Sequence, residues 1–294
     1  MKTLKNFTCC NLKNKNMKTL KFHSLPVSAV ILYMGFAYYS TIFIFIQDWL
    51  SLKSSAGLFN ALVFSCLAFM CVVSFVSCVV TDPGHIPAHF VPEIEDGCVS
   101  ELGSKRNSVN LNLRYCDKCS LHKPPRAHHC RVCKRCVLRM DHHCLWINNC
   151  VGFSNYKPFV LLIFYAAISC IYSMVVITSV ALQKDREVIG WSYLKIFCIT
   201  CGSITAVFCI TLASLLVWHL YLLTHNMTTI EYHEGVRAKW LARKSGQSYH
   251  HPFDLGVYKN LIMILGPNKL KWLWPTAVGH LRDGISFPTS RGTP

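Results

Sequence analysis

Charge is what this sequence has least of. Only 15% of its 294 residues are Asp, Glu, Lys or Arg, well under the roughly 25% usual in water-soluble domains. Acidic residues are scarcer still, 14 against 30 basic ones. With 52% hydrophobic residues and a mean hydropathy of +0.32, this poverty of charge excludes a disordered chain, a collagen and a coiled coil. It also argues that much of the protein is not solvated by water. The net charge of +16 suits nucleic acid, a membrane surface or an acidic ligand, and its distribution along the chain must separate them. The 17 cysteines suit disulfides, metal ligands, lipidation or apolar packing until their positions are read.

Charge is absent altogether from three long runs, Leu25–Ile46, Leu58–Val80 and Phe159–Leu182, and a fourth, Tyr193–Leu223, holds only Lys195 near its start. A helix needs about 20 apolar residues to cross a bilayer, and soluble cores rarely need four uncharged runs of this length. Short cytosolic segments collect Lys and Arg. Residues 1–24 carry six lysines and no acid, 81–157 carry 11 basic and 7 acidic residues, and 224–294 carry 9 and 4. Asp48 and Lys53 cancel between the first two runs, as Lys184 and Arg186 cancel Asp185 and Glu187 between the last two. The expected division is therefore a basic cytosolic tail (1–24), two spans with a short non-cytosolic loop (25–80), a cytosolic cysteine-rich domain (81–157), two further spans (158–223) and a cytosolic tail (224–294). The first span starts too far from Met1 and is too long for a cleaved signal peptide, so it is expected to be retained. The charge of the central domain, only +4 and tethered to a membrane at both ends, argues against nucleic acid.

Between Cys116 and Cys150 lie seven cysteines and five histidines, spaced C-x2-C-x9-H-C-x2-C-x2-C-x6-H-C-x5-C. Facing a reducing compartment, such C-x2-C pairs read as metal ligands, and zinc suits four thiolate or imidazole donors. Two Cys3His sites would leave one cysteine over, and counting alone does not say which.

Cys116-x2-Cys119, Pro124, His129-Cys130-x2-Cys133-x2-Cys136, Met140-Asp141-His142-His143-Cys144-x-Trp146, Asn148-Asn149-Cys150-Val151-Gly152 and Asn155-Tyr156 together resemble the cysteine-rich domain of DHHC-type protein S-acyltransferases, the palmitoyltransferases. Asp82-Pro83-Gly84, Thr228-Thr229-Ile230-Glu231 and Pro252-Phe253-Asp254-x-Gly256 with Asn260 resemble that family's DPG, TTxE and C-terminal motifs. The resemblance implies a polytopic α-helical membrane protein: four transmembrane helices, with a small zinc-stabilised cytosolic domain between helices 2 and 3. It implies one zinc on Cys116, Cys119, His129 and Cys136, another on Cys130, Cys133, His143 and Cys150, and Cys144 as the unliganded thiol. Leu145 stands where many members have proline, and His251 where many have asparagine; altered loop stiffness is expected at the first and altered tail packing at the second.

The implied activity is protein S-palmitoylation in two steps. Cys144 takes the acyl group from palmitoyl-CoA and passes it to cysteines of membrane-associated proteins. A thiol is mostly protonated near neutral pH, so it needs a base. His142 is expected in that role, with Asp141 orienting it; the alternative exchanges the roles of His142 and His143. Thr229 is expected to hydrogen-bond Asp141, and Trp146 to sit at the bilayer interface. Arg126, Arg131, Lys134, Arg135 and Arg139 suit coenzyme A phosphates or anionic headgroups equally. His122 and His128 read as solvated surface groups. Ala166, Ala167 and Ser169 read as helix contacts or room for an acyl chain. Cys66, Cys71, Cys170, Cys198, Cys201 and Cys209 read as apolar packing residues, and the adjacent Cys9 and Cys10 resemble lipidation sites. Golgi or plasma membrane is the family's usual location. Competing functions are a catalytically silent zinc-domain scaffold and a transporter, the latter disfavoured by spans poor in ionisable groups.

Overall fold

A computed structural model describes residues 22, 24–87, 90–91, 114–183 and 191–290. Cys9, Cys10, the N-terminal lysines and the charges at Lys184–Glu187 lie outside the described residues.

Four helices are long and apolar enough to cross a membrane: α1 (Leu25–Leu50), α2 (Ser55–Val80), α3 (Tyr156–Leu182) and α4 (Trp191–Thr224). The chain is a multi-pass helical membrane protein. Pro26 opens α1, where its missing N–H costs nothing. Ser54 caps α2 by accepting from the Gly57 amide at 2.9 Å. Gly57 has no room for a side chain, because a Cβ there would collide with the Ser51 carbonyl. Within α1, residues Ser40–Ile46 wind as a π-helix, and Ser40 Oγ donates back to Phe36 O at 2.8 Å. Helix α3 starts three residues before the apolar run, so Lys157 lies inside it. Its buried ammonium donates to Leu265 O, Lys271 O and Ala277 O, each at 2.9 Å, fastening the C-terminal tail to the bundle.

Between α2 and α3 the backbone forms three two-stranded antiparallel hairpins: β1 (Tyr115–Cys116) with β2 (Leu121–His122), β3 (His128–Cys130) with β4 (Arg135–Val137), and β5 (His142–Cys144) with β6 (Asn149–Val151). Each turns through a non-glycine residue of positive φ: Ser120, Lys134 and Asn148. Beyond α4 come α5 (Thr229–Lys244) and α6 (Val257–Leu265).

Three polar joints hold the hairpins against the helices. At the end of α2, Asp82 Oδ1 accepts from the Gly84 amide at 2.9 Å and Asp82 Oδ2 accepts from Arg135 Nη1 at 2.8 Å. Gly152 fits beneath this turn, where a Cβ would lie 2.7 Å from Val137 Cγ1 and 2.9 Å from Pro83 O. Asn149 Nδ2 donates to the last carbonyls of α2, Cys78 O at 2.9 Å and Thr81 O at 2.8 Å, satisfying acceptors that the helix end leaves open.

The third joint is a buried ion pair. Arg126 Nε and Nη2 donate to the two oxygens of Glu231 at 2.6 and 2.7 Å, and Nη2 also reaches Asn226 O at 2.7 Å. Phe253 lies under the guanidinium at 4.4 Å. Glu231 closes a capping box on α5 with Thr228. Burial alone would raise its pKa, but Arg126 and then Arg139 hold the carboxyl down at about 2. Arg139, 1% exposed, stacks over Tyr156 at 4.7 Å and donates to Asn226 Oδ1 at 3.3 Å.

These contacts correct two expectations. Arg126 and Arg139 are buried within the fold and so are closed to phosphates and headgroups, and Arg135, one third exposed, is paired with Asp82; of the five basic residues, Arg131 and Lys134 are exposed. His122 and His128 are half-buried, and His128 lies against Arg114 at 3.3 Å, so neither is a fully solvated group. His251, the departure in the tail motif, is buried 3.8 Å from Glu231 without a hydrogen bond on either nitrogen. Replacing Glu231 by Gln removes the carboxylate that pairs with buried Arg126 and lies near Arg139. The expected cost is about 3–5 kcal/mol, read as a lowered melting temperature of the purified protein, and Arg126→Met in the same background should recover part of it.

Candidate active site and metal centres

The hairpin registers dictate which donors meet. His129 pairs with Cys136 across β3–β4, and His143 with Cys150 across β5–β6. Each His–Cys pair faces the C-x2-C turn of the preceding hairpin. Thus Cys116, Cys119, His129 and Cys136 form one group and Cys130, Cys133, His143 and Cys150 a second, with all donor atoms of a group within 4.8 Å of one another. In the first, His129 Nδ1 lies 3.5, 3.2 and 3.8 Å from the thiols of Cys116, Cys119 and Cys136. In the second, His143 Nδ1 lies 3.7, 3.5 and 3.5 Å from those of Cys130, Cys133 and Cys150. Donors at about 2.0–2.3 Å from a tetrahedral zinc are separated by roughly 3.5–3.8 Å, so both groups fit that ion in number, softness and spacing.

Strand β5 also separates its three side chains. Successive residues point to opposite faces, so His143 turns to the second metal group while His142 and Cys144 turn together toward the helices. Cys144 is buried in a cluster with Val27 of α1, Phe75 and Cys78 of α2, and Phe159 of α3. Beside it the chain turns through a 3-10 segment, Leu145–Ile147, in which Leu145 and Trp146 are 64% and 62% exposed. Leu145 thus stands on the surface next to the thiol.

Behind His142 lies Asp141, 1% exposed. The imidazole Nδ1–H donates to Asp141 Oδ2 at 2.7 Å. Thr229, at the start of α5, donates its amide to Oδ1 and its hydroxyl to Oδ2, both at 2.9 Å. Burial would raise the Asp141 pKa, yet the hydrogen bond and charge of His142 keep it below its usual value. Burial likewise opposes charge on His142, but the bond to Asp141 and the adjacent Cys144 outweigh it and push the imidazole up to about 9. With Nδ1 engaged, Nε2 is the nitrogen left for proton exchange with a thiol.

Sequence reasoning gave no site role to Tyr156, Phe159 or His219; Phe159 and His219 lie against this imidazole, and Tyr156 lies against His219. His219 is a buried ionisable group inside α4, one that the reading of the spans as poor in ionisable groups did not count. The signal available was a histidine in an otherwise apolar span.

A multi-pass helical protein whose paired Cys3His hairpins carry a thiol, an imidazole and a carboxylate to one end of the bundle defines a class of membrane-embedded thiol enzymes. Residues 109–236 match the family model described as DHHC palmitoyltransferase. "Probable protein S-acyltransferase 15" of Arabidopsis thaliana is 55% identical over 258 residues, covering 88% of this chain and 99% of that protein. "Palmitoyltransferase ZDHHC15A" of Danio rerio is 34% identical over 288 residues, covering 90% and 84%, and "Palmitoyltransferase ZDHHC2" of Homo sapiens is 37% identical over 177 residues, covering 60% and 46%. The chain belongs to the DHHC palmitoyltransferase family.

Metal analysis of the purified protein is expected to give two ions per chain. Cys133→Ala should leave one ion and, because β5 loses its anchor, should also lower the melting temperature.

Proposed function

We propose that this protein is a protein S-palmitoyltransferase that carries a long acyl chain from acyl-CoA through Cys144 to cysteine thiols of membrane-associated proteins. The observation that supports it most directly is Cys144, among the described residues of the hairpin domain the one thiol outside both metal groups, on the same face of β5 as an imidazole bonded to a buried carboxylate.

In the first half-reaction His142 Nε2 accepts the Cys144 proton, and the thiolate attacks the thioester carbonyl. The carbon–sulfur bond to CoA breaks, and CoA leaves as a thiol carrying the proton back from His142. In the second, an acceptor cysteine gives its proton to His142 and attacks the acyl–Cys144 bond, and Cys144 recovers the proton as it leaves. Asp141 holds the imidazole tautomer and stabilises its charged form. Thr229 keeps both carboxylate oxygens aimed. Two structural zinc ions, held by Cys116, Cys119, His129 and Cys136 and by Cys130, Cys133, His143 and Cys150, would brace the hairpins without taking part in bond making.

The basic excess at residues 1–24, 81–157 and 224–294 supports a cytosolic placement of both termini and the hairpin domain, on an endomembrane such as the Golgi or on the plasma membrane. A chain of about 16 carbons gains roughly 0.8 kcal/mol per CH2 in hydrocarbon, which favours a thiol at the mouth of a membrane bundle. Arg131 and Lys134 remain available for CoA phosphates.

Incubation with labelled palmitoyl-CoA should load a hydroxylamine-sensitive label that Cys144→Ser abolishes. Retention of the label at full level in Cys144→Ser would overturn the assignment. Asp141→Asn should slow loading on the order of 100-fold or more, the scale of a misoriented general base.

A further inference from the structure

One hydrogen bond does not fix an imidazole. The Asp141 contact holds His142 at Nδ1, but rotation about that axis would still swing Nε2 away from Cys144. What limits the rotation is a set of rings from α3 and α4. Phe159 meets His142 edge-on at a centroid distance of 5.2 Å, and His219 lies 6.1 Å from it. His219 in turn meets Phe159 edge-on at 5.1 Å. It is 1% exposed, and its Nδ1 shares a 3.3 Å hydrogen bond with the Tyr156 hydroxyl. The Tyr156 ring, wholly buried, carries the Arg139 guanidinium over its face at 4.7 Å.

A leucine or phenylalanine would fill this space without the cost of burying an imidazole. Ionisable groups inside spans are expensive and are kept where they act. Here the polar atom is used to tie the ring to Tyr156, itself anchored on the hairpin domain through Arg139.

We propose that His219 is a positioning residue for acyl transfer: fixed by Tyr156, its ring walls in the His142 imidazole and keeps Nε2 directed at Cys144. The proposal rests on the reading of His142 as the general base. It makes α4 part of the active site and explains how helix, hairpin and tail converge on one ring.

The test is a double-mutant cycle on single-turnover loading of the full-length protein with palmitoyl-CoA. His219→Leu should lower the loading rate at saturating donor about tenfold, the scale of a slightly misplaced base, with the half-saturating donor concentration within about twofold. In a His142→Ala background the same substitution should change nothing further, because its effect passes through His142. Losses that multiply, or full-rate loading by His219→Leu, would overturn the proposal. Two metal ions per chain and an unchanged melting temperature qualify each variant. If His219→Leu fails these controls, Tyr156→Phe, which keeps every ring, replaces it in the same cycle and is read by the same criteria. Full-rate loading by His142→Ala overturns the base assignment itself, and Cys144→Ser reports separately on the nucleophile.

Discussion

The pleat of β5 separates two kinds of chemistry that the chain places on adjacent residues. Cross-strand pairing of His143 with Cys150 sets the register, and the register turns His142 and Cys144 toward the helices. A slip of one residue would exchange the faces, sending Cys144 into the metal group and His143 toward Asp141. Two-residue and three-residue strands cannot hold a register by backbone bonds alone. With metal bound, the Cys3His groups would matter less as sites than as clamps: each would tie one hairpin's cross-strand pair to the turn of the hairpin before it, so that no hairpin could slide independently.

The same economy governs the junction with the membrane helices. Two buried arginines, Arg126 and Arg139, face a single buried glutamate, an arrangement that is costly in a low dielectric unless every donor is used. Arg126 meets that condition on Glu231 and Asn226. Arg139 meets it in part: Nη2 reaches Asn226 and the guanidinium lies over Tyr156, but its buried Nε and Nη1 find no hydrogen-bond partner, and burial and the neighbouring Arg126 pull it down to about 10. Glu231 also caps α5, whose first residue, Thr229, holds Asp141. A loss of charge at Glu231 thus reaches the Asp141 carboxylate through a single turn of helix.

Much of this was legible in residue order, and the limits are physical. The four spans follow from the absence of charge, and the helix ends extend beyond the apolar runs because caps and buried polar residues such as Ser54 and Lys157 belong to the helix without being apolar. The donor types of the metal groups follow from C-x2-C spacing, but their interleaving depends on strand register, which spacing does not encode; only the family resemblance supplied it. The phosphate or headgroup role expected for Arg126 and Arg139 failed because charge counts do not register burial and pairing across some hundred residues, as between Arg126 and Glu231. His219 escaped notice because a histidine is neutral in a charge count and its partners, Tyr156 and His142, come from other elements.

The position of the thiol also bears on why the transfer belongs at a membrane. Donor and acceptor are both thioesters, so the exchange is nearly balanced, and what an enzyme of this kind must supply is proximity and a thiolate. Cys144 lies buried among α1, α2 and α3, on the same face of β5 as His142. The His142 imidazole is held toward its charged form by a carboxylate that is itself kept ionised by His142 and Thr229. The apolar setting strengthens that attraction as much as it penalises the separate charges, so the pair is favourable only while the imidazole stays in place. Precision at His142, secured from below by Asp141 and laterally by the rings of α3 and α4, is therefore the condition on which an acyl chain buried in hydrocarbon and a reactive sulfur can share one site.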